Sequence, residues 1–254
     1  MNSISVCLLT FNSERLLREC VEPLRALADE FIVVDSGSTD ATLKILAEFG
    51  LSPIHRAYTT HGDQMNHAIL QASNDWVLCV DSDEVFDPDT VKRINELKPA
   101  LADTRTAYRI SRYWHMLGTP IRALYPVSSP DYPVRLFNRT SVCFNDVPVD
   151  DKPVGHELTI IVEGRVKHDT FHTVHEVFNK ANGYTSRLNS YRKMEPSLLR
   201  AILSAISAFI KWYLLKGSWR DGRVGVLAGV YASLYSFLKY FKPWVINKHS
   251  GRRQ

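Results

Sequence analysis

The stretch WVLCVDSDEVFDP (residues 76–88) decides the fold class of this chain. Its first five residues are apolar, as in a buried strand, and they run directly into Asp81, with Asp83 following after one serine. Two carboxylates this close together repel each other, and burying them is costly unless a cation or a proton lies between them. The pattern therefore predicts a strand that ends at a cation site.

Further short apolar runs precede this strand, and helical patterns separate them. The runs are ISVCLLT (4–10), FIVVD (31–35) and a short strand near 52–55, with apolar residues at helical spacing between them. This alternation predicts an α/β fold with a mostly parallel sheet and helices on both faces. Active groups in such sheets gather at the carboxyl ends of the strands, where Asp35 and Asp81 both lie.

Capping residues and periodicity set the expected helix bounds. Ser13 is expected to cap the first helix and Thr39 or Asp40 the second, while the third covers about 63–72 and the fourth about 89–98. Alternating and Pro-rich segments follow, and they predict a mixed or antiparallel extension with long loops.

We divide the chain into two predicted domains. Residues 1–186 form the catalytic domain, with a nucleotide-binding half (1–90) and an acceptor-binding half (91–186), and residues 187–254 form a helical C-terminal extension.

Composition indicates a globular protein of a reducing compartment. The chain has 254 residues, of which 45% are apolar and 23% charged, enough for one large domain or one domain with an appendage. The N-terminus lacks the basic region of a secretory signal, so we expect none. The four cysteines show no CxxC spacing, which predicts core thiols in the cytoplasm and no thiolate metal site.

The charge is distributed unevenly along the chain. Residues 187–254 contain 13 Lys and Arg against 2 Asp and Glu. Their uncharged stretches, 201–210 and 224–238, fall short of the ~20 residues that cross a bilayer. We therefore expect basic amphipathic helices on the surface of an anionic membrane. A helix pair packed on the core or at a homo-oligomer interface stays open, whereas the aromatic and aliphatic content disfavours nucleic acid.

Other proteins also carry an acidic pair like Asp81 and Asp83. An EF-hand calcium loop is excluded, because its sixth and twelfth positions would be Phe86 and Lys92 instead of glycine and glutamate. A phosphatase or phosphotransferase of the haloacid-dehalogenase type fits the string DSDEV, but there the motif follows the first strand. A non-catalytic, membrane-associated binding protein and a simple solvated loop remain as further alternatives.

Four segments together resemble family 2 glycosyltransferases: TFNSE (10–14), IVVDSGSTD (32–40), GDQMNHA (62–68) and VDSDE (80–84). The resemblance implies a GT-A fold, an inverting reaction, a UDP-sugar donor and a divalent cation, Mg²⁺ or Mn²⁺, at the DxD motif. PDYPVRLFNR (130–139) and the segment from Lys167 to Arg187 further resemble bacterial lipopolysaccharide-core glucosyltransferases.

The resemblance also implies roles for individual residues. The predicted nucleotide-sugar ligands are Thr10, Asn12, Asp35, Gln64, Asn66, Asp81 and Ser82. The predicted metal ligands are Asp83, Asp81 and His168. The predicted acceptor contacts are Arg135, Trp114 and Tyr132.

The catalytic base is expected after the DxD motif, in a segment that often reads VHE or VHD in the family. Here the segment reads Val149-Asp150-Asp151, and we predict Asp151 as the base with Asp150 as its neighbour. Glu157, preceded by His156, is the alternative. The implied reaction moves a hexose, expected to be glucose, to a lipopolysaccharide inner core or related glycolipid. The enzyme would then lie peripherally on the cytoplasmic face of the inner membrane.

Overall fold

The computed structural model describes residues 2–250, and side chains up to residue 246. The strands are β1 (Ile4–Thr10), β2 (Glu30–Asp35), β3 (Ile54–His55), β4 (Trp76–Asp81), β5 (Glu84–Phe86), β6 (Thr106–Met116), β7 (Thr119–Pro120), β8 (Ala123–Leu124), β9 (Val127–Ser128), β10 (Val134–Asn138), β11 (Cys143–Phe144), β12 (Pro153–Val154) and β13 (Leu158–Phe171). The helices are α1 (Leu17–Leu24), α2 (Thr42–Glu48), α3 (His61–Gln71), α4 (Pro88–Leu97), α5 (Val174–Tyr191), α6 (Leu198–Phe209) and α7 (Gly222–Ser250), with short 3₁₀ or π turns at Lys98–Ala100, Ile210–Leu215 and Ser218–Asp221.

The chain folds into two compact units. Unit 1 contains Met1–Arg112 and Tyr132–His168, and unit 2 contains Tyr113–Asp131 and Asp169–Gln254. The C-terminal helices thus share their unit with α5 and with an earlier segment of the chain. The predicted domain boundary at residue 186 stays a prediction.

Four parallel strands form one half of the sheet, in the order β3-β2-β1-β4. The register places Thr10 beside Asp35 and Leu9 beside Asp81. The strand ends and the polar residues that follow them therefore meet at one edge, as the sequence predicts.

Later segments complete the sheet in the order β4-β10-β6-β13-β5, in which β10 is antiparallel to both β4 and β6, and β13 is antiparallel to β5. β10 runs antiparallel to β4, with Leu136 opposite Leu78. β13 runs antiparallel to β5, which places His168 opposite Glu84. The predicted mixed extension is therefore part of the same sheet, and it brings distant residues to the DSDE segment.

Apolar helices cover both faces of the parallel half. Ile4, Val6 and Leu8 of β1 pack in one cluster with α1, α2 and α4, while Cys7 packs in another with α3. Burial of these faces is the main stabilising contribution. With the helical C-terminal part, this arrangement confirms the predicted GT-A type of α/β fold.

The cysteines fit the prediction of core thiols, with one exception. Cys7, Cys20 and Cys79 are buried, and burial raises the pKa of the Cys7 thiol to about 12. Cys143 is exposed. All four are free thiols.

Three helix starts differ from prediction. The second helix begins at Thr42 after Ala41, which provides no side-chain cap, although Asp40 Oδ1 accepts from the Thr42 N–H over 3.0 Å. The first helix begins at Leu17 without a side-chain cap, because the Ser13 hydroxyl accepts from the Phe11 N–H and contacts Ser82. The third begins at His61, because the Thr60 hydroxyl accepts from the Asp63 N–H over 3.2 Å and caps it earlier. The earlier start of the third helix places His61 in its first turn, next to the candidate site.

In unit 2, α5, α6 and α7 form a helical layer. Val177 and Ala181 of α5 pack in one apolar cluster with Ala228 and Tyr231 of α7. The segments Leu198–Leu215 and Ser218–Ile246 are long and apolar enough to cross a membrane, judged by length and composition only. The expectation that both runs are too short counted uncharged residues alone, whereas the helices that form extend beyond those runs.

Candidate active site

Asp35 is held at the end of its strand. Thr10 and Ser38 hydroxyls donate to Oδ2 over 2.8 and 2.6 Å, and the N–H groups of Gly37 and Ser38 donate to Oδ1 over 2.9 and 2.8 Å. Burial raises the pKa of this carboxyl, but the hydrogen bonds outweigh it and hold the pKa below its usual value. A carboxylate offers about four lone-pair sites, so a nucleoside would have to displace one of these donors. The nucleoside contacts of Thr10 and Asp35 stay predictions.

Asn12 and Ser82 make side-chain contacts between loops at the same edge of the sheet. Asn12 has a left-handed backbone (φ 47°), and its Oδ1 accepts from the Thr39 N–H over 2.9 Å. The Ser82 hydroxyl lies 2.7 Å from that of Ser13. Both residues shape the loops beside the DxD motif, and their contact with a nucleotide stays a prediction.

Asp81 is part of a buried ionic network. Its Oδ2 accepts from Arg135 Nη2 over 2.8 Å, and Arg135 also pairs with Glu84, whose Oε1 accepts from Arg112 Nη1 over 2.9 Å. Burial raises the pKa of Asp81, but Arg135 and then His61 outweigh it and hold this pKa well below its usual value. Asp81 is therefore a carboxylate that is compensated by the protein's own cations.

His61 joins Asp81 to the predicted base. Its Nε2 lies 2.9 Å from Asp81 Oδ1, and its Nδ1 lies 2.7 Å from Asp151 Oδ2. Burial lowers the pKa of His61, but the two carboxylates outweigh it and raise the pKa to about 10. The Phe144 ring meets the imidazole edge-on, with 5.7 Å between the ring centroids. An imidazolium thus links the DxD motif to Asp151.

Asp83 and His168 lie side by side, with His168 Nε2 3.1 Å from Asp83 Oδ2. The Asp83 side chain is 30% exposed, while that of His168 is 7% exposed. A carboxylate and an imidazole suit Mn²⁺, and Mg²⁺ also accepts the carboxylate. Among the side chains that the structure describes (residues 2–246), no cluster of three His, Cys, Asp or Glu residues is poised around one metal position. The pair thus fits a cation that takes its remaining ligands from a diphosphate and water.

Gln64 and Asn66 bind groups of the protein itself. Gln64 is fully buried, and its Nε2 donates to the Ser36 hydroxyl over 3.0 Å and to the Arg56 carbonyl over 2.9 Å. Asn66 makes two hydrogen bonds to the Phe144 backbone, over 2.9 and 2.8 Å. Both amides hold the scaffold around the site, and their predicted contacts with a nucleotide stay predictions.

The loop between β11 and β12 carries Asp150 and Asp151. Asp150 is exposed with a left-handed backbone (φ 63°), whereas the Asp151 side chain is only 14% exposed. A Cβ on Gly62 would lie 3.0 Å from the Asn145 carbonyl and 3.3 Å from Asp151 Cβ. The first turn of α3 therefore packs closely under this loop and supports Asp151.

We expect Gly155→Ala to lower the free energy of unfolding by ~3 kcal/mol, from backbone strain and a clash. Gly155 directly follows β12 and has φ 105°, and a Cβ there would lie 2.2 Å from the Ser141 carbonyl oxygen. Gly50 is the matched control, because it has φ 72° and a Cβ there would meet no atom within 4 Å. Gly50→Ala should cost only ~1–2 kcal/mol. Urea unfolding measures both, and equal losses would contradict the close contact at Gly155.

The alternative base, Glu157, lies on the surface. Its side chain is 67% exposed and forms an ion pair with Arg105. No hydrogen bond or ion pair given by the structure links Glu157 to Asp81, Asp83 or His61 in the described part of the chain. Of the two candidates, Asp151 alone is joined to the DxD motif by such a contact.

Each of the three predicted acceptor residues contacts groups of its own unit. Arg135 is 6% exposed and is engaged with two carboxylates. Tyr132 is half-buried in unit 1, and its carbonyl accepts from Arg109 Nε over 2.6 Å. Trp114 belongs to unit 2, where its Nε1 donates to Asp131 Oδ1 over 2.9 Å. Their binding to an acceptor stays a prediction.

Sequence reasoning missed His61, Glu84 and Arg112. Glu84 stands directly after the DxD motif, and Thr60 with Asp63 marks the helix start beside His61. Those two signals were present in the sequence. Nothing in the sequence pattern singles out Arg112, which reaches Glu84 only through the order of the strands.

The sequence matches a glycosyltransferase family model and resembles individual glycosyltransferases. The Glycosyl transferase family 2 model matches residues 5–117. The lipopolysaccharide core biosynthesis glycosyltransferase LpsC of Rhizobium meliloti (strain 1021) is 26% identical over 256 residues, covering 92% of this chain and 89% of LpsC. An uncharacterized glycosyltransferase of Rickettsia prowazekii (strain Madrid E) is 24% identical over 95% of this chain and 87% of its own.

Solved structures are similar over part of the chain. The crystal structure of glucosyl-3-phosphoglycerate synthase from Mycobacterium tuberculosis, in complex with Mn²⁺ and UDP-glucose, is 24% identical, with a TM-score of 0.37. The similarity covers 45% of this chain and 44% of the synthase.

Proposed function

Because this chain is a glycosyltransferase of family 2, we propose that it transfers a hexose, most simply glucose, from a UDP-sugar with inversion. The acceptor is a hydroxyl of a lipopolysaccharide inner core or a related glycolipid. The observation that carries the proposal is the Asp81–His61–Asp151 chain, which joins the DxD motif to a partly buried carboxylate able to serve as the base. A relative that matches most of the chain and is named for lipopolysaccharide core biosynthesis supports the acceptor class.

The proposed donor site includes Asp83 and His168, which would hold Mg²⁺ or Mn²⁺. Such a cation would offset the charge that builds up on the departing diphosphate. Asp81 already accepts from Arg135 and contacts His61, so its proposed role is to orient those cationic groups beside the donor. Burial in the network fixes its position.

The proposed base is Asp151. The acceptor oxygen attacks the anomeric carbon as the bond from that carbon to the diphosphate oxygen breaks, and Asp151 takes the hydroxyl proton. His61 holds one carboxylate oxygen of Asp151, which leaves the other oxygen for the acceptor. Inversion follows from attack on the face opposite the leaving group.

The alternatives left open by the sequence find no support. A dehalogenase-type phosphatase needs Asp81 as a free nucleophile, but both of its carboxylate oxygens are engaged. The matching family model and the two relatives described above are glycosyltransferases, which argues against both the phosphatase and the non-catalytic binding protein.

The location follows from the acceptor and the charge. We propose that the enzyme works at the cytoplasmic face of the inner membrane, where a lipid-linked acceptor would be assembled. The excess of basic residues in 187–254 would favour contact with anionic lipid.

The test of the donor site is cation-dependent binding and turnover. With UDP-glucose and Mn²⁺ at about a hundredfold excess over Kd, we expect ~2.7 kcal/mol of stabilisation and UDP release upon addition of core oligosaccharide. Asp83→Asn should lose most of this stabilisation, because the variant lacks the charged ligand. Thermal shift measures the binding, and a coupled assay measures UDP.

Asp89→Asn is the matched control, since Asp89 is an exposed residue in the first turn of α4. It should bind as the wild type does. Asp83→Asn that retains the full Mn²⁺-dependent shift would contradict the assignment. Phosphate release from simple esters, without UDP release, would contradict the proposed function as a whole.

A further inference from the structure

Helix α6 and the turn after it carry large apolar side chains on the outside. We call the following residues the outer stripe: Leu199, Ile202, Leu203, Ile206, Ile210, Leu214 and Leu215, which are 44–78% exposed. Most of them recur at steps of three or four, which places them along one helix face. A helix of a water-soluble protein normally turns such a face toward the core.

The inward side of α6 is built from small residues. Its buried residues are Ala201 and Ala208, and Ala208 packs in one cluster with Ala232 of α7. A Cβ on Gly229 of α7 would lie 3.0 Å from Tyr213 Cβ, so the two segments approach each other closely. Small residues between helices and large aliphatic residues outside are the pattern of helices that face lipid.

Basic residues border the outer stripe. Arg200, Lys211, Lys216 and Arg220 are exposed along the same segment. A groove of about 400 Å³ adjoins the stripe, sharing Leu199 and Leu203 with it and including Arg200 and Tyr240. Within residues 187–254, 13 basic residues stand against 2 acidic ones. An apolar stripe with a basic border is complementary to acyl chains under anionic headgroups.

The turn between α6 and α7 limits how the pair can meet a bilayer. Ser218 is fully buried and its hydroxyl donates to the Ala123 carbonyl over 3.2 Å. Asp221 accepts from the Arg122 N–H over 2.8 Å and pairs with the Arg122 guanidinium over 3.2 Å. A hairpin crossing the bilayer would carry this turn to the far side, away from the segment that holds it. The contacts therefore favour a helix that lies along the membrane.

We propose that the outer stripe inserts into the interfacial layer of an anionic phospholipid leaflet, with α6 parallel to the surface. Its basic border then contacts the headgroups, and the stripe enters the acyl-chain boundary. The inference rests on the proposed function only for the choice of a membrane as partner. It goes further in assigning insertion to α6 and in excluding a crossing.

Vesicle flotation of the full chain tests the assignment. Wild type should bind vesicles of phosphatidylethanolamine and phosphatidylglycerol, and part of that binding should persist at ~0.5 M salt, where surface charge is screened. The double variant Leu203→Glu/Ile206→Glu should bind at least ~30-fold more weakly, because it places two charges in the apolar layer. Leu43→Glu/Leu70→Glu, which adds equal charge at exposed positions of α2 and α3, should bind as wild type does.

Other outcomes of flotation overturn the inference in distinguishable ways. If the stripe variant binds as wild type does and binding is lost only at high salt, the basic region alone binds the membrane through its charge. The outer stripe would then have no part in binding. If wild type does not bind the vesicles, the proposal that this protein binds an anionic membrane is wrong. Light scattering that shows a dimer broken by the stripe variant would assign the stripe to a second copy. UDP release with a soluble acceptor tests the sugar transfer separately.

Depth quenching tests the orientation. Ile206→Cys, in a Cys143→Ser background that removes the exposed thiol, carries an environment-sensitive fluorophore. We expect a nitroxide near the headgroup to quench it more strongly than one at the end of the acyl chain. Stronger quenching by the deep nitroxide would indicate a crossing helix and overturn the in-plane arrangement.

Discussion

Asp151→Asn is expected to lower the turnover number for glycosyl transfer by ~10³-fold, because a carboxamide cannot take the acceptor proton. The Kd for UDP and Mn²⁺ should change by less than about threefold, since the proposed cation ligands, Asp83 and His168, are untouched. UDP release with saturating donor and acceptor measures turnover, and calorimetry measures the Kd. Turnover within about tenfold of wild type would remove Asp151 from the role of base.

Two isosteric changes serve as controls for this result. Asp150→Asn should stay within about threefold of wild type, because Asp150 points to solvent and asparagine tolerates its left-handed backbone. Glu157→Gln should do the same, because its side chain is on the surface with Arg105. The reverse pattern, a loss at Glu157 and none at Asp151, would exchange the two assignments.

Arg135→Met is expected to lower the free energy of unfolding by ~3–5 kcal/mol, the usual effect of removing one partner from a buried ion pair. The Arg135 side chain is 7% exposed, and its guanidinium pairs with both Asp81 and Glu84, whose side chain is 1% exposed. Burial lowers the pKa of Arg135, but Glu84 and then Asp81 outweigh it and raise the pKa, so the charge is permanent. Urea unfolding with tryptophan fluorescence measures the loss.

Arg18→Met is the matched control for the buried pair. Arg18 also pairs with a glutamate, Glu48, but both side chains are more than 40% exposed. Its loss should cost at most ~1 kcal/mol. Equal costs at the two arginines would mean that the network around Asp81 contributes no more than a surface pair.

The parallel half of the sheet was predictable because its signals are local. Two of its strands are apolar runs that end in a carboxylate, 31–35 and 76–81, and the structure confirms strands there. The helix caps were less predictable, because a serine or threonine can bind a loop group instead, as Ser13 does. The start of α3 was signalled by Thr60 but hidden by Gly62, a poor helix former.

The candidate site was predictable in part only. The site residues at the ends of the parallel strands were predictable, because the fold class alone places them at one edge of the sheet. Arg135, Arg112 and His168 reach the DSDE segment through antiparallel strands far along the chain, and the order of those strands is not encoded in local periodicity. For the same reason, the partners of Asp81 came only from the structure. The His61 contacts depend in addition on the loop that α3 supports.

The position of β10 beside β4 bears on how the enzyme can be divided. The family match stops at residue 117, whereas β10 and its Arg135 come later. An excised 5–117 fragment would expose the edge of a strand whose five apolar residues are at most 4% exposed in the whole protein, and such an edge invites aggregation. In such a fragment, Asp81 and Glu84 would also lack the Arg135 guanidinium that pairs with both of them. We therefore expect the matched segment not to fold stably by itself, and truncation studies should keep the chain through β13.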